Sequence, residues 1–287
     1  MKLNNTIMQF KTFMLSLTVF SFFANGLAQH APKGNLFIIG GGDRPAAMMK
    51  KMVEAARFRP GDYIAILTMS SANPDTSFFY IKEDLHPHCS NAISKLHFTK
   101  TNVNNRLMLD SLKKARLIFI TGGVQSRFMD VVLNTPVFEA IHQAYQMGAT
   151  IAGTSAGAAV MSKEMITGSQ IRADTLYDGS FDRIEKGNVE IKPGLGLMTN
   201  AIIDQHFIVR SRYNRLLTIL AQYPEKTGIG IDEATAILVN GNEAEVVGES
   251  QVIVVRSPQH VKAINGKIVS FKNANLGIYT DGEKFKL

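Results

Sequence analysis

The sequence predicts an α/β fold with a mostly parallel sheet and an antiparallel C-terminal extension. Three observations predict it. From residue 35 onward, short apolar runs alternate with helix-period segments. Each run is bounded by glycine or polar turns, and the final third changes to closely spaced β-rich runs with a hairpin signal. The 287 residues are 45% apolar and 19% charged, a globular composition, and no internal repeat or low-complexity tract divides them. One domain over 35–287, preceded by a short linker at 29–34, is the simplest division.

Taken in order, the first run is NLFII (35–39), which ends in Gly40-Gly41-Gly42 before Pro45 opens the helical AAMMKKMVEAAR. The glycine triplet lacks the Gly-x-Gly-x-x-Gly spacing of a dinucleotide loop, because Pro45 holds the third position. YIAILTM (63–69) is the second run and KLHFT (95–99) the third. A short helix, RLMLDSLKKA (106–115), leads into the fourth, RLIFITGG (116–123). Asn134-Thr135-Pro136 interrupts the next helical region. Pro136 starts a helix whose apolar face is Val137, Ala140, Ile141, Ala144 and Tyr145, and Gly148 ends it. TIAG is the fifth strand, and a helix is expected over Ala156–Ile166. In the final third, Asn240-Gly241 is a strong hairpin turn signal.

Residues 1–28 read as a signal peptide. Lys2 and Lys11 precede an apolar run of 12 residues at 13–24, and small Gly26 and Ala28 suit a cleavage site before Gln29. A membrane span needs about 20 apolar residues, so no stable span is expected once the signal is cleaved, and the expected location is periplasmic or secreted. Removing this segment takes two lysines and no acid from a chain of net charge +7. The remaining mild excess forms no basic run interleaved with aromatics, so nucleic acid is not an expected partner. Cys89 is the only cysteine and can form no internal disulfide; it reads as a small buried hydrophobe. His86-Pro87-His88-Cys89 crowds three possible zinc ligands, but no distant partner pair accompanies them, so it reads as a loop and no metal is expected.

The chemistry centres on GTSAG (153–157), where one hydroxyl stands between glycines at the junction of an apolar run and a helix-forming segment. Small neighbours let the backbone turn sharply and expose Ser155 at the carboxyl end of a parallel strand, where open α/β sheets place their ligands. A serine hydroxyl is a weak nucleophile and needs a base, an acid to orient it and donors for the oxyanion. His206 is the best base of the seven histidines, since it follows the apolar run of IIDQHFIVRSRYNRL in a cluster of polar residues. The acid is open: Asp174, Asp178 and Asp182 lie between Ser155 and His206, and Glu233 lies at the end of the run in GIGIDEATA, beside Asp232. Thr121-Gly122-Gly123-Val124-Gln125 ends the fourth strand. Its glycines allow close backbone approach, so the Gly123 and Ala156 N–H groups are the expected oxyanion hole, with Gln125 placed to hydrogen-bond the substrate.

With IIGGG, TGGVQ, GTSAGA, PGLGLMTNAIIDQHFIVRSRYNRL and GIGIDEATA in this order, the chain resembles the cyanophycinase family of serine peptidases, relatives of aspartyl dipeptidase. The resemblance runs over nearly the whole chain after the signal. It implies a three-layer α/β/α fold that is flavodoxin-like and similar to class I glutamine amidotransferases. It implies Ser155 as nucleophile, His206 as base and Glu233 as third member, although shorter dipeptidase relatives place the acid between Ser and His. Gln125, Asp204, Gln205, Arg210, Arg212 and Arg215 fall where the family's substrate contacts lie, with arginines suited to clamp carboxylates and Asp204 to take a guanidinium. The expected activity is hydrolysis of β-aspartyl-arginine units from a cyanophycin-like polymer, through an acyl-enzyme and without a metal or organic cofactor. A homodimer is the expected assembly. Three other readings remain: a peptidase for β-aspartyl or acidic dipeptides, an α/β-hydrolase-type esterase, which needs its acid before His206, and a non-catalytic binding protein of the same fold.

Overall fold

In the computed structural model, residues 32, 34–172, 181 and 183–287 are described. The expected signal segment, most of the expected linker and the alternative acids Asp174, Asp178 and Asp182 lie outside them. The chain begins β1 (Leu36–Ile39), α1 (Ala46–Ala56), β2 (Ile64–Leu67), α2 (Pro74–Leu85), β3 (Ile93–Leu96), α3 (Arg106–Lys114) and β4 (Leu117–Ile120). It continues through α4 (Gln125–Val132), α5 (Pro136–Met147), β5 (Thr150–Thr154), α6 (Ala156–Ala159), β6 (Glu164–Gln170), β7 (Val189–Pro193), β8 (Ala201–Gln205) and α7 (Tyr213–Gln222). The last third supplies β9 (Thr227–Ile231), β10 (Thr235–Asn240), β11 (Glu243–Gly248), β12 (Val252–Arg256), β13 (Gln259–Ile264), β14 (Ile268–Lys272), β15 (Asn275–Tyr279) and β16 (Lys284–Lys286).

An eight-stranded sheet of order β16-β11-β10-β1-β5-β4-β2-β3 organises the molecule. The five strands from β1 to β3 in that order are mutually parallel. β10, β11 and β16 extend the sheet antiparallel, with Asn240 facing Glu243 across the expected hairpin. The parallel strands are covered on both faces, which is why they read as unbroken apolar runs. Phe37, Ile39, Ile64, Ile66 and Phe119 pack on one face under Met48, Met49 and Met52 of α1 and Ile81 and Leu85 of α2. Leu36, Ile38, Leu67, Ile118, Ile120 and Ile151 face the other way, toward α3, α4, α5 and a second sheet. That sheet has the order β15-β12-β9-β8, and in it β9 runs parallel to β8 as well as antiparallel to β12. This is the three-layer α/β/α arrangement with a mostly parallel sheet that the sequence predicts.

Local chemistry sets several boundaries. Pro136 opens α5, and Gly148 closes it at φ 107°, donating its N–H to the last carbonyls. Four segments depart from the sequence reading. The third strand begins two residues early, at Ile93, because it pairs in register with Ile64. α2 and α7 are additional helices. The helix behind Ser155 is only four residues long rather than running to Ile166. Its last turn tightens, with Met161 N–H donating to Ala158 O, and Lys163 N–H then bonds Met198 O as β6 pairs with β7. Tertiary pairing overrides the helical propensity of that stretch.

Candidate active site

Ser155 stands at the end of β5, between β1 and β4. Its N–H donates to Ile39 O at 3.0 Å, and Ala158 and Ala159 N–H both donate back to its carbonyl. The backbone between strand and helix is forced into φ 53°, ψ −107°, a region that non-glycine residues rarely occupy. The flanking glycines make this possible by close approach. A Cβ on Gly153 would lie 2.4 Å from Gly157 O, and one on Gly157 would lie 2.2 Å from Ile120 O.

β8 delivers the next group. His206 follows its last residue, and the imidazole Nε2 accepts from Ser155 Oγ at 2.8 Å. Nδ1 lies 2.5 Å from Glu233 Oε1, and since a carboxylate only accepts, Nδ1 carries the proton and Nε2 is free to act as a base. Burial pulls the His206 pKa below its usual value. The Glu233 hydrogen bond opposes this, and the positive charge of Arg210 lowers it further. The imidazole is therefore neutral near pH 7, the state a general base requires. Of the candidate acids within the described residues, Glu233 makes this contact, whereas Asp232 accepts from the Ile208 and Val209 N–H groups and from Ser250.

The glycine triplet of the first run now has a physical role that the sequence did not disclose. Gly40 O accepts from His206 N–H at 2.8 Å, and Gly41 O accepts from Ala234 N–H at 2.9 Å. Gly41, at φ 119°, passes so close to the imidazole that a Cβ would lie 2.2 Å from its Cε1, and a Cβ on Gly42 would lie 2.7 Å from that of Glu233. The triplet is the seat of the histidine and the glutamate. Nothing local could have signalled this, because the partners lie far along the chain.

Opposite Ser155, the Gly122–Gly123 turn after β4 borders its side chain; a Cβ on Gly122 would lie 3.6 Å from that of Ser155. Ser70 braces the turn, its Oγ donating to Thr121 O at 2.6 Å while its carbonyl accepts from Val124 N–H at 2.9 Å. Among the described residues, no backbone carbonyl accepts from the Gly123 or Ala156 N–H. Both are available as oxyanion donors.

The remaining predicted residues form a layer around β8. Gln125 is buried, and its Nε2 donates to Ile166 O and Thr167 O, tying α4 to β6. Asp204 is fully buried and holds the Arg215 side chain through both oxygens, with Arg212 Nη1 at 3.7 Å. The expectation that Asp204 takes a substrate guanidinium is therefore corrected: the protein's own Arg215, itself almost wholly buried, occupies it. Arg212 also donates to Gln205 O at 2.5 Å, while the Gln205 Oε1 is buried without a hydrogen-bond partner among the described residues. Arg210 is exposed beside His206.

A cleft of about 240 Å³ opens over the serine. It is lined by Gly41, Gly42, Thr121, Gly122, Thr154, Ser155 and His206, and on its far wall by Arg44, Ser77, Tyr80 and Ile81. That far wall comes largely from α2, and sequence reasoning missed it. Phe79 and Tyr80 are exposed there, so the helix shows little apolar period.

A serine, a histidine and a glutamate joined by hydrogen bonds at the carboxyl edge of a parallel sheet define the hydrolase-type constellation of this fold. The sequence profile of Peptidase family S51 matches residues 70–247, and the chain belongs to that family. It is 35% identical over 181 residues to the cyanophycinase of Geminocystis herdmanii (strain PCC 6308), covering 61% of this chain and 63% of the relative. It is 37% identical over 186 residues to the cyanophycinase of Trichormus variabilis (strain ATCC 29413 / PCC 7937), covering 62% and 59%. The matched stretch thus spans about three fifths of these curated relatives. The crystal structure of a peptidase from an acI-B1 Actinobacterium superposes with a TM-score of 0.65 at 20% identity, covering 90% of this chain and 98% of that one.

Proposed function

We propose that this chain is an exported serine exopeptidase that hydrolyses β-aspartyl-arginine units from a cyanophycin-like polymer through an acyl-enzyme on Ser155. One observation carries the reading: the continuous hydrogen-bonded series from Ser155 Oγ through His206 to Glu233. The cyanophycinase relatives support the substrate class. Ser155 Oγ attacks the scissile carbonyl as His206 Nε2 takes its proton, and Glu233 holds the imidazolium that forms. The Gly123 and Ala156 N–H groups receive the oxyanion. His206 then hands its proton to the leaving amine, and water, activated by the same imidazole, releases the acyl group and restores the serine.

The test is release of β-aspartyl-arginine from cyanophycin, and cleavage of a panel of β- and α-aspartyl dipeptides, by the protein lacking residues 1–28. Polymer cleavage that disappears in Ser155→Ala is the expected result; turnover unchanged in that variant would remove Ser155 from the chemistry. Activity on dipeptides alone would keep the mechanism and discard the polymer. Export rests on Lys2, Lys11 and the apolar run at 13–24. N-terminal sequencing of protein recovered from the periplasm or medium is expected to begin at Gln29, and full-length chain in the cytoplasm would reject export.

A further inference from the structure

We infer that Arg44 is the specificity-determining residue of the cleft and binds a carboxylate of the substrate beside the scissile bond. The inference rests on the peptidase reading above and deepens it. Arg44 lies in the loop between β1 and α1, two residues beyond the glycine triplet that seats His206 and Glu233. It lines the same cleft as Ser155 and His206, and among the lining residues it is the one permanently charged side chain; none of them is acidic.

Its setting is built rather than incidental. Asp84, one turn beyond Tyr80 and Ile81 on α2, accepts from Arg44 Nε at 2.5 Å, and the arginine side chain is 20% exposed. This contact uses the Nε side of the guanidinium. Of the remaining donors, Nη1 has only a long contact to Gly42 O at 3.5 Å, and Nη2 has no protein acceptor among the described residues. The paired Nη groups are thus left for the planar fork that a carboxylate completes. An arginine anchored through one edge loses less freedom on binding than an unconstrained one. The substrate class fits, since every β-linked arginine unit carries a free α-carboxylate. Asp84 acts through Arg44 as a positioning residue.

The measurement that tests this is calorimetric binding of β-aspartyl-arginine, and of its two derivatives with one or the other carboxylate amidated, to the Ser155→Ala protein with and without Arg44→Gln. In the Ser155→Ala background, one amidation is expected to weaken binding about tenfold or more. Adding Arg44→Gln should weaken the parent dipeptide similarly and collapse that difference. Arg44→Lys should retain part of it, and Asp84→Asn should shrink it while leaving Arg44 in place. A discrimination that survives Arg44→Gln, or a protein indifferent to both amidations, overturns the inference. Circular dichroism and reaction of Ser155 with a small, uncharged serine-directed reagent in the Arg44→Gln enzyme verify an intact fold and nucleophile. Cleavage of cyanophycin by the protein with Ser155 intact separates the two readings. Carboxylate-selective binding of the dipeptides with no cleavage of polymer or aspartyl dipeptides sinks the peptidase proposal and upholds Arg44, whereas polymer cleavage by a protein whose dipeptide binding is indifferent to both amidations does the reverse.

Discussion

Ser155 and His206 both hold positive φ, 53° and 48°, in a region that costs a non-glycine residue about 1–3 kcal/mol each. Such strain persists only where surrounding contacts over-determine it, and here the glycines do so. Gly41→Ala would place a methyl against the imidazole, so kcat/KM is expected to fall about 100-fold or more with the fold retained, as steady-state kinetics and circular dichroism would reveal. The charge near His206 makes a second, signed prediction. Because burial and Arg210 hold its pKa below 6.5, the acid limb of kcat/KM should inflect below that value. Arg210→Gln removes a positive charge that disfavours the imidazolium, so the limb should move to higher pH, and the difference should shrink at high salt. An unchanged or opposite shift would contradict the assignment of His206 as the base. Ser155 and His206, the proposed nucleophile and base, were legible in the sequence because each ends an apolar run in a polar or glycine-bearing turn. Glu233 was singled out among the acids only by the family resemblance, since its contact with His206 joins chain segments that only folding brings together.

At the scale of elements, the buried Asp204–Arg215 pair clips β8 to α7, and Arg215 also lies 5.8 Å from the Phe181 ring. Asp204→Asn would leave a buried guanidinium without its counter-charge, and a loss of about 3–5 kcal/mol in denaturant unfolding is expected. A loss under about 1 kcal/mol would show that the pair is not a stabilising clip. The same pair shows why a motif can mislead about contacts: the spacing of Asp204, Arg212 and Arg215 reveals a polar cluster but not which partner each group takes. β1, β2, β4 and β5 could be read from their apolar runs because both faces are buried. α2 escaped notice because only Ile81 and Leu85 face the core while its aromatics point outward, and the short α6 was overextended because AGAAVMSKEMI suits a helix until β7 claims its second half.

Across the whole molecule, protection should follow burial. Amide exchange is expected to be slowest in β1, β2, β4 and β5, whose residues are all buried, and to be early in the β13–β14 hairpin, where Ile264 and Ile268 are half exposed. Equal protection in the two regions, read by mass spectrometry, would contradict this ordering. The parallel frame was predictable because its signal is local, whereas the split of the last third between two sheets was not: β10 and β12 look alike in sequence, yet one pairs with β1 and the other with β9. The seating of Glu233 on the first glycine turn has a temporal consequence. The strand of Ser155 and its neighbours are made by residue 155, but the His206–Glu233 pair is seated only when β10 docks on β1, after residue 240 has been synthesised. A growing chain therefore holds Ser155 without its hydrogen-bonded partners, and the linked trio of Ser155, His206 and Glu233 forms nearly last, as a by-product of closing the sheet.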